Sequence, residues 1–81
     1  MELTVRLFGP VRETAGTARA VVRVEPPVTP RTILDALGTS FPELAPVFSR
    51  SRVAVNHAYA DPAATVDAND EVAIITPVGG G

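Results

Sequence analysis

The sequence predicts an α+β domain in which one main helix packs across a mixed sheet of four to five strands. Three observations predict it. Leu3, Val5 and Leu7 alternate with Glu2, Thr4 and Arg6, the period of a half-buried strand. Thr29-Pro30 opens a segment in which Ile33, Leu34, Leu37 and Phe41 share one helical face. The segments follow one another as strand, strand, helix, strand, short strand, strand, and the chain of 81 residues holds one small core. A chain of this size buries only about 60–65% of its unfolded surface, which predicts modest stability.

The first strand spans residues 2–8 and stops at Gly9-Pro10. Val11 to Ala15 have the length of one helical turn, closed by Gly16. Residues 19–25 form a second strand with Ala20, Val22 and Val24 on one face, and Val21 interrupts the strict alternation. The short connection between these strands predicts an antiparallel pair. Pro26-Pro27 stops the second strand. Thr29 is a good N-cap, and Pro30 suits the first helical position because its missing N–H would lack a partner there. Phe41-Pro42 ends the helix, and Glu43 to Phe48 give a second short turn carrying Leu44, Val47 and Phe48. Val53 and Val55 mark the third strand, Tyr59 a short edge strand, and Ala68-Asn69-Asp70 a turn in which Asn69 tolerates positive φ. In the last strand, Glu71 to Thr76, Val72, Ala73, Ile74 and Ile75 are all apolar. Such a strand is covered on both faces or turns one face to a partner. This order is that of the β-grasp, or ubiquitin-like, fold, with a domain over residues 1–76 and a flexible tail over 77–81.

Composition excludes several functions. The net charge is −2 without a basic stripe, which argues against a nucleic-acid binder. The seven basic residues are all Arg, with no Lys and no Cys, so disulfides, thiolate metal sites and Cys nucleophiles are ruled out. Sulfur handled by this protein cannot sit on its own side chains. The N-terminus lacks the charged and apolar regions of a signal peptide, and no apolar stretch approaches the roughly 20 residues that span a bilayer. A cytoplasmic protein away from membranes is expected.

The chain ends Pro77-Val78-Gly79-Gly80-Gly81. Pro77 cannot donate to a sheet ladder and should release the chain from the last strand. From there the tail can reach about 16 Å, and ordering its glycines is entropically costly. A glycine-rich end is by itself an ordinary frayed terminus. Here the glycines stand at the very end and follow directly on the last strand of the predicted fold.

Three segments carry a family resemblance: Leu7-Phe8-Gly9-Pro10-Val11-Arg12-Glu13-Thr14-Ala15-Gly16, Ala54-Val55-Asn56, and Asp70-Glu71-Val72-Ala73-Ile74-Ile75-Thr76-Pro77-Val78-Gly79-Gly80-Gly81. In that order they resemble the MoaD-like sulfur carriers, the small subunits of molybdopterin synthase, over almost the whole chain. Asn69 replaces the glycine usual before Asp70, and Thr76 replaces the first proline of a Pro-Pro pair.

The resemblance implies that an E1-like (MoeB-like) adenylyltransferase uses ATP to adenylate Gly81, which then becomes a thiocarboxylate. The tail enters the molybdopterin synthase large subunit (MoaE-like), where sulfur passes to a pyranopterin precursor in molybdenum cofactor biosynthesis. Gly80 and Gly81 suit narrow tunnels in both partners, which a Cβ would block. The carrier is expected to bind no cofactor, and catalytic acids, bases and ATP-binding groups should belong to the partners. A heterotetramer of two small and two large subunits is implied. The resemblance also places Phe8, Tyr59 and Ile75 against the large subunit, Arg12 at the rim, and Pro77, Val78 and Gly79 in the bound tail; read from the residues alone, Phe8 is either an exposed anchor or buried under a loop, and Arg12 either a rim contact or a solvated side chain. Strand alternation independently turns Phe8 away from Leu3, Val5 and Leu7.

Three other functions compete with this reading. A ThiS-like carrier for the thiamin thiazole also ends in Gly-Gly. A ubiquitin-like modifier would form isopeptide bonds, and this chain has no internal Lys as acceptor of its own tail. A plain binding module would not need Gly81. His57, the single histidine, lacks Cys or an acidic pair nearby in sequence and is read as a surface residue without catalytic role. Asp61, Asp67 and Asp70 lack calcium-loop spacing and are read as solvated or turn-capping.

Overall fold

The computed structural model describes residues 1–77, and the tail residues Val78, Gly79, Gly80 and Gly81 lie outside the described residues. In β1 (Glu2–Arg6) the odd residues are buried and the even ones exposed, as their period predicts. Gly9, at φ 61, turns the chain directly into α1 (Gly9–Ala15), which starts two residues before Val11. Val11 is buried. Gly16 closes the helix at φ 76, its N–H donating to the Arg12 carbonyl at 3.0 Å; a left-handed closing residue is the position where lack of a Cβ matters.

β2 (Arg19–Arg23) lies antiparallel to β1, with Thr4 opposite Val21 and Val5 opposite Ala20. Ala20, Val22 and Val24 are buried while Val21 is 59% exposed. Val21 therefore keeps the alternation in geometry and departs from it only in chemistry, as an apolar residue on the outer face. The strand stops before Glu25, although Val24 N–H still donates to the Met1 carbonyl at 2.9 Å.

Helix α2 (Pro30–Ser40) begins where Thr29-Pro30 predicts. The Thr29 hydroxyl accepts from Thr32 N–H at 3.2 Å, and the Thr32 hydroxyl accepts from Thr29 N–H at 2.9 Å. This is a capping box in which Thr takes the position usually held by Glu or Gln, and it satisfies two N–H groups that the helix leaves without partners. Ile33 and Leu37 are fully buried, with Leu34 and Phe41 packed at the margin of the core. A 3-10 turn (Pro42–Leu44) leads into α3 (Ala45–Ser49), which buries Leu44 and Phe48 beneath α2.

β3 (Arg52–Val55), β4 (Ala58–Tyr59) and β5 (Val72–Ile75) complete a five-stranded sheet of order β2-β1-β5-β3-β4. β5 runs parallel to β1 and antiparallel to β3 in the middle of the sheet. Its Val72 and Ile74 are buried in the helix-side core, while Ala73 and Ile75 are half-buried on the other face. Of the two arrangements open to an all-apolar strand, this one turns one face outward. The architecture is the β-grasp that the segment order predicts.

Besides Gly9 and Gly16, two non-glycine residues have positive φ. Asn56 (φ 52) and His57 (φ 69) carry the two-residue turn between β3 and β4, and Asn69 is not among them. Two successive left-handed residues match the right-handed twist of a tight hairpin, and Asn is favoured there. Asn56 also ties this hairpin to the start of β5: its N–H donates to the Glu71 carbonyl at 2.8 Å, its Oδ1 accepts from Glu71 N–H at 3.0 Å, and its Nδ2 donates to Asp70 Oδ1 at 3.1 Å.

Asp67 N–H donates to Asp70 Oδ2 at 2.8 Å. That backbone bond first, and the Asn56 amide second, hold the Asp70 carboxyl below its ordinary value of 3.8. A carboxyl lowered in the folded state stabilises at pH above its unfolded value, and the stabilisation fades as pH falls through the folded value. Urea midpoints at pH 7 and below pH 3.8 should therefore show a drop for the wild type that is smaller in Asp70→Ala. Parallel pH profiles for the two proteins would contradict this.

Candidate functional site

The helices cover one face of the sheet, and no described element covers the other. The outward residues of that open face follow from register. Arg19, Arg6, Ala73, Ala54 and Tyr59 form one row across all five strands, since Arg6 pairs with both Arg19 and Ala73, and Ala54 with both Ala73 and Tyr59. Two residues on, Phe8 and Ile75 form a second row with Arg52, which is opposite Ile75.

A groove on this face is lined by Arg6, Phe8, Ala54, His57, Tyr59, Glu71, Ala73 and Ile75. Three residues that the resemblance selects, Phe8, Tyr59 and Ile75, thus meet at one place although they are far apart in sequence. Phe8 is 47% exposed and Tyr59 60% exposed. Large exposed aromatics clustered on one face are typical anchors for another protein. Arg12 is exposed on α1 and is not among the groove residues. Pro77 is exposed just after β5, and Val78, Gly79, Gly80 and Gly81 are outside the described residues.

The groove also gathers polar groups that sequence reasoning left aside. Glu71 Oε2 accepts from the Arg6 guanidinium at 3.4 Å and lies 3.4 Å from His57 Nε2. The Arg6 guanidinium lies 5.5 Å from the Phe8 ring centroid, and that of Arg52 4.3 Å from the Tyr59 centroid, both within cation–π range. His57 is a surface residue, as expected, yet it stands beside the aromatic cluster. The two-residue turn puts it there, and that turn was not legible without the β3–β4 register.

Asp61 Oδ1 accepts from Ala63 N–H at 2.8 Å, so Asp61 and Asp70 both serve turns. Among the described residues no group of three or more His, Cys, Asp or Glu is placed to hold a metal ion, and no helix is long and apolar enough to cross a membrane.

Comparison with known proteins gives the family and the fold. The model of the ThiS family matches residues 5–81. A molybdopterin synthase sulfur carrier subunit from Arabidopsis thaliana is 36% identical over 81 residues, spanning 100% of this chain and 84% of that protein. The crystal structure of SAMP1, small archaeal modifier protein 1, from Haloferax volcanii superposes with a TM-score of 0.81 at 29% identity over 100% of both chains. A chain in the complex of subunits 1 and 2 of the molybdopterin-converting factor from Helicobacter pylori shares the fold, with a TM-score of 0.64 and 21% identity over 100% of both chains.

Proposed function

The chain belongs to the ThiS family, and from that membership we propose that it is a sulfur carrier of the molybdopterin synthase small-subunit type, working through the Gly81 carboxylate. One observation carries the reading. Ile75, on the open sheet face, stands only two residues before Pro77, after which the sequence runs into Val78 and the three glycines. A partner that covers this face therefore stands beside the point where the described chain ends, at Pro77. The Arabidopsis relative, a sulfur carrier subunit matched along the whole chain, supports the same reading.

The chemistry needs two steps. A carboxylate is a poor electrophile, since its charge and resonance repel nucleophiles. In the first step a Gly81 carboxylate oxygen attacks the α-phosphorus of ATP on an E1-like enzyme, and pyrophosphate leaves. In the second, hydrosulfide adds to the acyl-adenylate carbonyl, AMP leaves and a proton passes to solvent, which gives the thiocarboxylate. The large subunit then takes the tail; the thiocarboxylate sulfur bonds to the pyranopterin precursor, and water cleaves the acyl carbon–sulfur bond to return the Gly81 carboxylate. This chain supplies the reacting end and the docking face, while the partners supply ATP binding and acid–base groups.

Intact-mass spectrometry tests the proposal. After incubation with ATP, a sulfur source and the E1-like adenylyltransferase, the chain should gain about 16 Da, oxygen replaced by sulfur. No gain with a demonstrably active enzyme would overturn it. The likeness to a small archaeal modifier supports a second reading, in which the same activated end is transferred to lysines of other proteins. Isopeptide-linked adducts in place of the thiocarboxylate would select it.

A further inference from the structure

The open sheet face is charged opposite to the chain as a whole. It carries Arg6, Arg19, Arg23 and Arg52 against Glu2 and Glu71, in a protein of net charge −2. Two of these arginines are matched on the face itself: Arg6 with Glu71 at 3.4 Å, and Arg23 with Glu2 at 3.3 Å. Among the described residues, Arg19 and Arg52 have no carboxylate within salt-bridge distance.

Arg52 is the more informative of the two. Its guanidinium rests over the Tyr59 ring at 4.3 Å. Stacking uses the face of the guanidinium and leaves its N–H donors directed outward in the plane, where they match a carboxylate in two-point fashion. The stack also restrains the side chain, so less rotamer freedom is lost when a partner binds. Arg19, on β2, is three strand spacings from β3, about 14 Å across the sheet. The apolar centre, Ala73, Ile75 and Phe8, lies between them.

We propose that the surface covering this face, on the large subunit that receives the tail, pairs an apolar centre with carboxylates flanking it, one of them bound by Arg52 on its Tyr59 platform. This inference rests on the sulfur-carrier reading above and adds the chemistry by which the partner is recognised.

Calorimetric titration of the large subunit of molybdopterin synthase with the full chain tests it. Arg52→Gln should weaken binding about tenfold or more, the loss of a charge-assisted hydrogen-bonded pair. Arg52→Lys, which keeps the charge and loses the planar fork, should fall between Arg52→Gln and the wild type. Arg31→Gln removes the same charge on the exposed side of α2 and should bind as the wild type. Raising the salt from about 50 to about 300 mM should weaken the wild type more than Arg52→Gln. Equal affinities for Arg52→Gln, Arg31→Gln and the wild type, with equal salt slopes, would overturn the acidic-partner inference while a loss on Phe8→Ala kept the docking face. Failure of the wild type to bind the large subunit at all would overturn the sulfur-carrier reading itself, and this inference with it. Thermal melts of each variant separate weakened binding from misfolding.

Discussion

Deleting Gly81 should abolish the mass gain of thiocarboxylation and leave the melting temperature unchanged. The reacting atom is the terminal carbonyl carbon. Removing one residue withdraws it by about 3.5 Å from where a tail of fixed length would present it, and misplacement by even 1 Å can lower a rate by about 100-fold. Gly80→Val tests the same point without shortening the chain. A branched Cβ both collides with a narrow channel and restricts the backbone, so transfer should fall by a comparable factor. Neither change touches the core, whose buried residues run from Leu3 to Ile74. Unaltered thiocarboxylation in the deletion would remove the proposed function. Unfolding of either variant would show instead that the tail is part of the folded domain.

The features that sequence reveals here are those set by neighbours in the chain. Alternation of Leu3, Val5 and Leu7 gives β1, and Thr29-Pro30 gives the start of α2 to the residue. Gly16 closes α1 because a left-handed residue was needed there. What depends on pairing across the sheet was less visible. Val21 breaks an alternation in hydropathy but not in geometry, and only its place opposite Thr4 on the outer face explains it. Asn69 was read only as tolerant of positive φ, and the non-glycine residues that adopt it are Asn56 and His57, because turn identity is set by the register of β3 with β4. Phe8 was legible as an outward aromatic, and Tyr59 and Ile75 only by resemblance. Arg6, Arg52, His57 and Glu71 gave no local signal, since polar residues on the exposed side of strands or in turns are ordinarily solvated. They form a site only because parallel pairing of β1 and β5 brings residues 6 and 71 together across 65 positions of chain.

Phe48→Ala should produce the opposite pattern, a large loss of stability with the tail chemistry preserved in whatever fraction stays folded. Phe48 is 1% exposed and is the largest fully buried side chain. It projects from α3, a helix of 5 residues, too short to persist in water without tertiary packing. Truncating a buried Phe costs about 3–5 kcal/mol, in lost transfer energy and in the cavity left behind. A domain of this size is expected to hold only about 4–12 kcal/mol in total. The variant should therefore melt roughly 12–40 °C lower, with its urea midpoint shifted in proportion. Phe48→Leu keeps most of the volume and should lose far less. An unshifted melting curve for Phe48→Ala would mean that α3 is not anchored to the core through this ring. With the shift observed, and Gly81 deletion leaving the curve in place, stability and function separate along the chain: stability rests on the helix-side core in which Phe48 is buried, and the proposed chemistry rests on the open face and the last residue of the sequence.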